Sequence, residues 1–296
     1  MNCFGKVLKE YLLEIPAFSE QYEIHTYYMM DCVSKIDLDK VSVCDLFLYQ
    51  HVGENALKFV NNPLNLDVKS YTPISLIRDV LPSDCIKISI PSPYFSGYFV
   101  NGTNEHAIKT LIDLPSSLRD YFPNYCFNAD LLNMLIKRES LEYMLTFLSD
   151  PELYSKERVL SNLTNTVKNL RLREVENAID IPMSDFIEEN YQKKRLFHTT
   201  NHPTKHMFQY VINKILPIIG MDLCIELSVD KMTKVGRVPI LPCVSKHLRL
   251  PCADADADAY ANVVDFDGPY FIQGKPVDSL EAYISFYQSL FQKHGL

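Results

Sequence analysis

Between Lys193 and Leu216 the sequence reads K-K-R-L-F-H-T-T-N-H-P-T-K-H-M-F-Q-Y-V-I-N-K-I-L, a run that crowds imidazoles, amides, hydroxyls and cations together. Pro203 suits the first position of a helix, where its missing N–H costs nothing and its φ is already helical. Asn201 and His202 would then stand at the helix mouth, with Arg195, His198, Thr199 and Lys205 around them and Lys193 and Lys194 adding charge. Unpaired N–H groups and the positive end of the macrodipole favour an anion there, so the expected ligand is a phosphate or a developing oxyanion. His198, His202 and His206 are spaced i, i+4, i+8, as on a metal-binding helix face. Pro203 interrupts that face and no Glu follows His198, so no metal is expected. The bland alternative is that His202 only caps the helix. Cys3 opens a second helical pattern, and a helix dipole favours thiolate, the state of a nucleophile. Its alternative is a small buried hydrophobe.

The elements that must position these residues follow from periodicity. Val7, Leu8, Tyr11, Leu12 and Ile15 form one helical stripe ended by Pro16, and Phe208, Val211, Ile212, Ile215 and Leu216 form another ended by Pro217 and Gly220. Tyr22 to Met30, Asp45 to Gln50 and Cys85 to Ile90 read as strands, with helical patterns at 54–60 and 74–81 between them. Crossovers of that length favour a small parallel sheet, and ligands then gather beyond the carboxyl ends of its strands. Gln50, His51 and Tyr94 with Phe95 fall at that rim. Residues 91–101, P-S-P-Y-F-S-G-Y-F-V-N, read as a loop packed by its own rings, able to wall a pocket for a flat group. Helices are expected at 105–114, 129–148 with Asn128 as cap, 156–179 preceded by Asp150 as cap, 183–191 and 279–293. The expected fold class is α/β and predominantly helical, with a small N-terminal parallel sheet subdomain at 1–100 and a helical part at 101–296 packed as one unit.

Composition excludes several functions. A net charge of −8 argues against a general nucleic-acid or anionic-membrane binder, which needs a basic face. No apolar run approaches the ~20 residues of a membrane span and no signal-peptide pattern opens the chain, so a cytoplasmic protein is expected. The eight cysteines make no C-x-x-C pair, which speaks for reduced thiols rather than zinc ribbons or a disulfide framework. There is no G-x-G-x-x-G or Walker sequence. V-P-I-L-P-C-V at 238–244 cannot be a central strand, and A-D-A-D-A-D-A at 253–259 lacks the Gly and distal Glu of a calcium loop.

Five motifs in order, N-C at 2–3, Y-E-I at 22–24, D-L-F-L-Y-Q at 45–50, I-P-S-P-Y-F-S-G-Y-F at 90–99 and F-H-T-T-N-H-P-T at 197–204, resemble the WcbI-type polysaccharide-biosynthesis family. The resemblance implies a mainly helical fold with a small parallel α/β subdomain, coenzyme A binding, and acyl transfer, acetyl first, to a sugar hydroxyl of a capsular or other surface polysaccharide. By motif matching it carries over Asn2, Cys3, Gln50, Tyr94, Phe95, Asn201, His202 and Pro203. The chain departs from the family pattern at Met1, where the family has Gly, and at Phe4, where it has Gln. On this reading His202 is the base for the acceptor hydroxyl, Asn201 and helix N–H groups are oxyanion donors, and Cys3 lines the site or briefly carries the acyl group. His51, Arg195, His198, Thr199 and Lys205 join Asn2, Gln50, Tyr94 and Phe95 as expected contacts of coenzyme A or acetyl-CoA. The expected partner is a sugar or polysaccharide acceptor, with association to assembly proteins conceivable. Two other classes stay open: an SGNH-like esterase or deacetylase of acylated glycans, although no G-x-S-x-G is present, and a non-catalytic cofactor- or glycan-binding module.

Overall fold

A computed structural model describes residues 3–27, 37–50, 80–103, 108, 118, 121–122, 126–233, 236–251 and 269–296. The chain forms two compact units, one from Met1–Ser92, Arg173–Pro182 and Phe208–Glu226, the other from Pro93–Leu172, Met183–Met207 and Leu227–Leu296.

In the first unit α1 (Cys3–Leu13) buries Phe4, Val7, Leu8, Tyr11 and Leu12 on the face the three-to-four spacing sets out. Phe4, where the family has Gln, stacks on Phe208 with ring centroids 4.6 Å apart, and Tyr11 leans on the same ring at 5.3 Å. An apolar residue at position 4 is therefore part of the core. α2 (Pro16–Ser19) starts on its proline, and α3 (Leu38–Val41) is capped by the Asp37 carboxylate, which accepts from the N–H groups of Asp39 and Lys40. β1 (Leu46–Gln50) and β2 (Ile86–Ile90) pair in parallel from Leu46↔Ile86 to Gln50↔Ile90, as expected. The third expected strand does not form in its described part: residues 22–27 have no regular secondary structure, and Lys9 Nζ donates to the Ile24 carbonyl at 3.0 Å. The helical pattern at 54–60, nearly all of that at 74–81 and the remainder of the strand pattern lie outside the described residues.

β2 is fastened from the side by a later segment of the same unit. Asp180 Oδ2 accepts from both the N–H and the hydroxyl of Ser89, each at 2.7 Å, while Ser89 Oγ accepts from the Asp180 N–H at 2.9 Å and the Ser89 carbonyl from Ile181 N–H at 3.2 Å. A side chain thus takes ladder positions that a further strand would otherwise fill.

In the second unit β3 (Gly102–Thr103) pairs antiparallel with β4 (Phe127–Asn128), and Asn128 caps α4 (Ala129–Ile136) through Oδ1 to the N–H groups of Asp130 and Leu131. The single helix expected over 129–148 is two. Arg138 turns left-handed at φ 57 and Ser140 starts α5 (Leu141–Leu148) with its own cap. α6 (Lys156–Glu176) starts after Ser155, whose Oγ accepts from Arg158 N–H; Asp150, expected as its cap, instead holds a turn at Glu152 N–H. α7 (Ser184–Asn190) follows, with Asp185 and Glu188 both on the Arg171 guanidinium.

β5 (Phe197–Thr199), β6 (His202–Pro203), α8 (Lys205–Ile218) and α9 (Pro242–Leu248) come next. Phe208, Val211, Ile212, Ile215 and Leu216 are all fully buried, as their spacing requires, and α8 carries Pro217 inside its last turn before Gly220 turns at φ +80. β7 (Tyr270–Ile272) and β8 (Lys275–Val277) form a hairpin, and α10 (Leu280–His294) is capped by Ser279 and ended by Gly295 at φ 66. Residues 238–244 form no strand, as the prolines dictate; only Arg237 bridges to Phe271. The acidic run 253–259 lies outside the described residues. Of the described free cysteines, Cys85, Cys126 and Cys243 are buried, while Cys3 and Cys224 are exposed. No described helix is long and apolar enough to cross a membrane.

Candidate functional site

The stretch richest in chemistry folds as a tight hairpin, not as the start of a helix. β5 and β6 pair antiparallel through Phe197↔Pro203 and Thr199↔His202, with Thr200 and Asn201 turning between them. Pro203 tolerates this place because it lacks an N–H and sits on an edge. Thr204 then ties the hairpin back, its N–H to the Leu196 carbonyl and its hydroxyl to the Arg195 carbonyl, each at 2.8 Å. The helix begins only at Lys205, two residues later than expected, so Asn201 stands in the turn and His202 opens β6, neither of them at a helix mouth.

That helix mouth is already closed by an anion of the protein itself. Asp230 Oδ2 accepts from Lys205 N–H at 2.9 Å and from His198 Nε2 at 2.9 Å, and Oδ1 accepts from Met232 N–H at 3.1 Å. A carboxylate there satisfies the orphan donors and the dipole that a phosphate would have used. The expected phosphate site at the mouth of α8 is therefore corrected. Burial pushes the Asp230 carboxyl up, but the His198 hydrogen bond and charge and the two N–H donors outweigh it and hold the group below its usual range. Burial likewise pulls His198 below the ordinary imidazole value despite Asp230. His198 is thus neutral at pH 7, with its proton on Nε2 toward the carboxylate and its buried Nδ1 unpartnered among the described residues.

Arg195, expected as a cofactor-binding cation, is instead 1% exposed. Its Nε donates to the Phe197 carbonyl at 2.9 Å and its Nη2 to the carbonyls of Val238 at 2.5 Å and His198 at 3.3 Å. Burial and the neighbouring Arg237 bring the guanidinium down to about 9, still charged at neutral pH. It is a clamp on the hairpin, placed where carbonyls need donors and a ligand has no access. Phe95 is likewise inside: its ring stacks on Phe197 at 5.0 Å and its N–H donates to the Thr200 carbonyl at 2.7 Å. It supports the turn from below and offers no open face to a cofactor. Tyr94, beside it, is 42% exposed. Lys205 Nζ reaches the Ser228 carbonyl at 3.2 Å on the exposed side.

Gly97 belongs to the same support. A Cβ there would overlap the Phe95 ring and stand 2.9 Å from Leu163 Cδ1, both packed side chains. Gly97→Ala should therefore destabilise the fold by about 1–3 kcal/mol, the usual cost of overpacking. A urea midpoint equal to wild type would contradict it.

His202 keeps a different environment. Its Nδ1 meets Thr199 Oγ1 at 2.9 Å, and the same hydroxyl donates to Asn201 Oδ1 at 3.1 Å. Nε2 makes no hydrogen bond to a described residue, and the residue is half-buried. Burial, then the charge of His198, brings this imidazole down to about 4, so it is a neutral base at pH 7. Beneath the turn Cys126 touches the Thr199 hydroxyl and the Thr200 backbone, and burial pushes its thiol up to about 12. That thiol is inert.

The remaining expected residues belong to the first unit. Cys3 is the exposed first residue of α1, and Gln50 is buried at the carboxyl end of β1. Asn2 and His51 lie outside the described residues. Asp230, Thr204 and Cys126 were missed. Asp230 and Cys126 stand 28 and 76 residues from His202 in segments of unremarkable pattern, so only chain folding reveals them; Thr204 lies two residues away, inside the conspicuous stretch, and its tie forms only in the folded hairpin.

A helix-rich α/β chain with a short parallel sheet and a histidine-bearing hairpin is the class defined so far. Residues 1–223 match the sequence profile of the polysaccharide biosynthesis enzyme WcbI, and the chain belongs to that family. Among curated proteins none matches the sequence. A solved structure described as WcbI, a novel polysaccharide biosynthesis enzyme, in native form without a disulfide bond between CoA and a cysteine, superposes with a TM-score of 0.70 at 19% identity. The match covers 98% of this chain and 87% of that one, a likeness of fold.

Proposed function

We propose that this protein is a coenzyme A-dependent acyltransferase that moves an acyl group, acetyl first, to a sugar hydroxyl in polysaccharide biosynthesis. The observation that carries the reading is His202, a neutral imidazole held at Nδ1 with an open Nε2, in a chain of a polysaccharide biosynthesis family whose solved relative is described with CoA.

The cofactor's phosphates need donors and cations, and the two helix N-termini differ in what they offer. α8 is filled by Asp230 and does not fit a phosphate. α1 has no acid in its first turn and carries exposed Lys6 there, which fits one, so Cys3, Lys6 and, on motif grounds, Gln50 are the proposed cofactor contacts. Bound acetyl-CoA would supply the acyl group as a thioester. His202 Nε2 would take the acceptor hydroxyl's proton, and the Asn201 amide Nδ2 would donate to the developing oxyanion. Capsular acceptors and a cytoplasmic location remain part of this reading.

Calorimetric titration with CoA tests it first. Binding that weakens at least several-fold in Lys6→Ala and is unaffected in Lys205→Ala supports the α1 assignment, whereas no binding at millimolar CoA, or acetate release independent of it, would turn the reading toward hydrolysis.

The pH profile gives a second test. A base of pKa about 4 stays unprotonated well below the ordinary imidazole value of ~6.5, so the acid limb of kcat/KM should lie near pH 4 to 5 and not near 6.5. Stability follows the same sign. The unfolded chain takes up protons at His198 and His202 that the native one refuses, so the stabilisation is complete above about pH 6.5 and is lost as pH falls through the native value. Asp230, also held low, adds in the same direction. Denaturant melts from pH 7.5 to 4.5 that show rising stability on acidification would refute this.

A further inference from the structure

We propose that Thr199 and Asn201 form a relay that locks His202 in its Nδ1–H tautomer, making Thr199 a positioning residue for the base and giving Asn201 a second duty. Only the base's part in transfer rests on the functional reading above; the tautomer itself does not.

The inference is a proton count. A threonine hydroxyl has one proton, and here it is directed at Asn201 Oδ1, 3.1 Å away, an oxygen that can only accept. The lone pairs of Oγ1 are what remains for His202 Nδ1 at 2.9 Å, so the proton in that contact belongs to the ring. Nδ1 is therefore N–H and the lone pair lies on Nε2, the nitrogen with no hydrogen bond to a described residue. Free neutral imidazole in water prefers the opposite tautomer, with the proton on Nε2. The relay thus reverses a default, and the reversal turns the outward nitrogen from a donor into a base.

The groups that face this ring do not undo the reversal. His198 is spoken for at Nε2 by Asp230, and Cys126, against the far side of Thr199, stays a neutral thiol. The hairpin enforces the spacing. The Thr199↔His202 pairing and the two-residue turn hold the hydroxyl, amide and imidazole within one local unit, which Arg195 fastens from below through the Phe197 and His198 carbonyls. With Oδ1 occupied, the Asn201 amide Nδ2 is the end left to act as donor.

Nitrogen-15 spectroscopy of the ring nitrogens tests this on the whole chain at neutral pH, with His202 assigned among the eight histidines by loss of its signals in His202→Gln. The expected pattern is a pyrrole-type Nδ1 and a pyridine-type Nε2. Thr199→Val keeps the side-chain shape, removes the hydroxyl and should shift both signals toward the ordinary mixture, whereas Thr199→Ser should restore the locked pattern. Should Thr199→Val fail to fold, the wild-type spectrum and Thr199→Ser still decide. A wild-type ring protonated on Nε2, or a locked pattern that survives in Thr199→Val, overturns the proposal. A locked pattern in a protein that transfers no acyl group would leave the relay standing and defeat the transferase reading instead. If both hold, Thr199→Val lowers kcat with little change in the KM for the acyl donor.

Discussion

His202→Ala is expected to reduce acyl transfer by about 10²- to 10⁴-fold, the range over which a positioned general base acts, while CoA affinity stays at the wild-type value. The ring is the one imidazole of the hairpin whose outward nitrogen has no hydrogen bond to a described residue; His198, six residues before the Thr204 tie, has its Nε2 spent on Asp230. The contrast supplies the control. His198→Ala should act on stability, because it leaves a buried carboxylate short of a donor, and should affect transfer far less in the folded fraction. Transfer rates are to be measured at saturating acceptor beside calorimetric titration of the same samples. Full activity in His202→Ala with CoA bound would remove this residue from the chemistry.

Phe208→Ala is expected to cost about 3–5 kcal/mol of folding stability, the loss typical of deleting a buried aromatic ring. Against a total of about 5–15 kcal/mol for an ordinary domain that is a large share. The ring is wholly buried and touches two rings of α1, Phe4 at 4.6 Å and Tyr11 at 5.3 Å, so the cavity would open under the helix that presents Cys3. Phe208→Leu, which fills most of the space, should cost less than about 1.5 kcal/mol. Urea unfolding at pH 7.5 measures both. A Phe208→Ala protein within about 1 kcal/mol of wild type would show that α1 does not depend on this contact.

Phe4 also explains a departure from the family pattern. Glutamine in its place would set a buried amide against the Phe208 ring, and an amide left unsatisfied there costs about 1–3 kcal/mol. The chain has exchanged a polar side chain for a packed one at the start of α1.

Much of the framework was legible in the residues. Period-four stripes placed α1, α6, α8 and α10 because an amphipathic helix must repeat its apolar side chains every turn; the stripes of α1 and α8 are buried as expected, whereas Val175, at the end of the α6 stripe, is 75% exposed. Alternation and crossover length foretold that β1 and β2 pair in parallel. Asn128 and Ser279 cap helices where a short polar side chain precedes an apolar run. Motif order pointed to the family, and His202 and Asn201 were singled out from residue type alone.

What sequence could not decide was where donors and acceptors meet across long separations. Pro203 has the same local preference at the first turn of a helix and on the edge of a hairpin, and the choice fell to Thr204 and Arg195, whose bonds close only in the folded chain. A cation beside a helix start suggests an anion site, yet Arg195 turned inward to three carbonyls, and the anion at the start of α8 came from Asp230, 25 residues beyond Lys205 in a segment with no periodic signal. Periodicity is a property of neighbours a few residues apart and therefore survives in the sequence. Satisfaction of a buried donor or charge depends on what the tertiary fold brings beside it, and that alone decided which of the conspicuous residues are structural and which nitrogen of His202 is free to act.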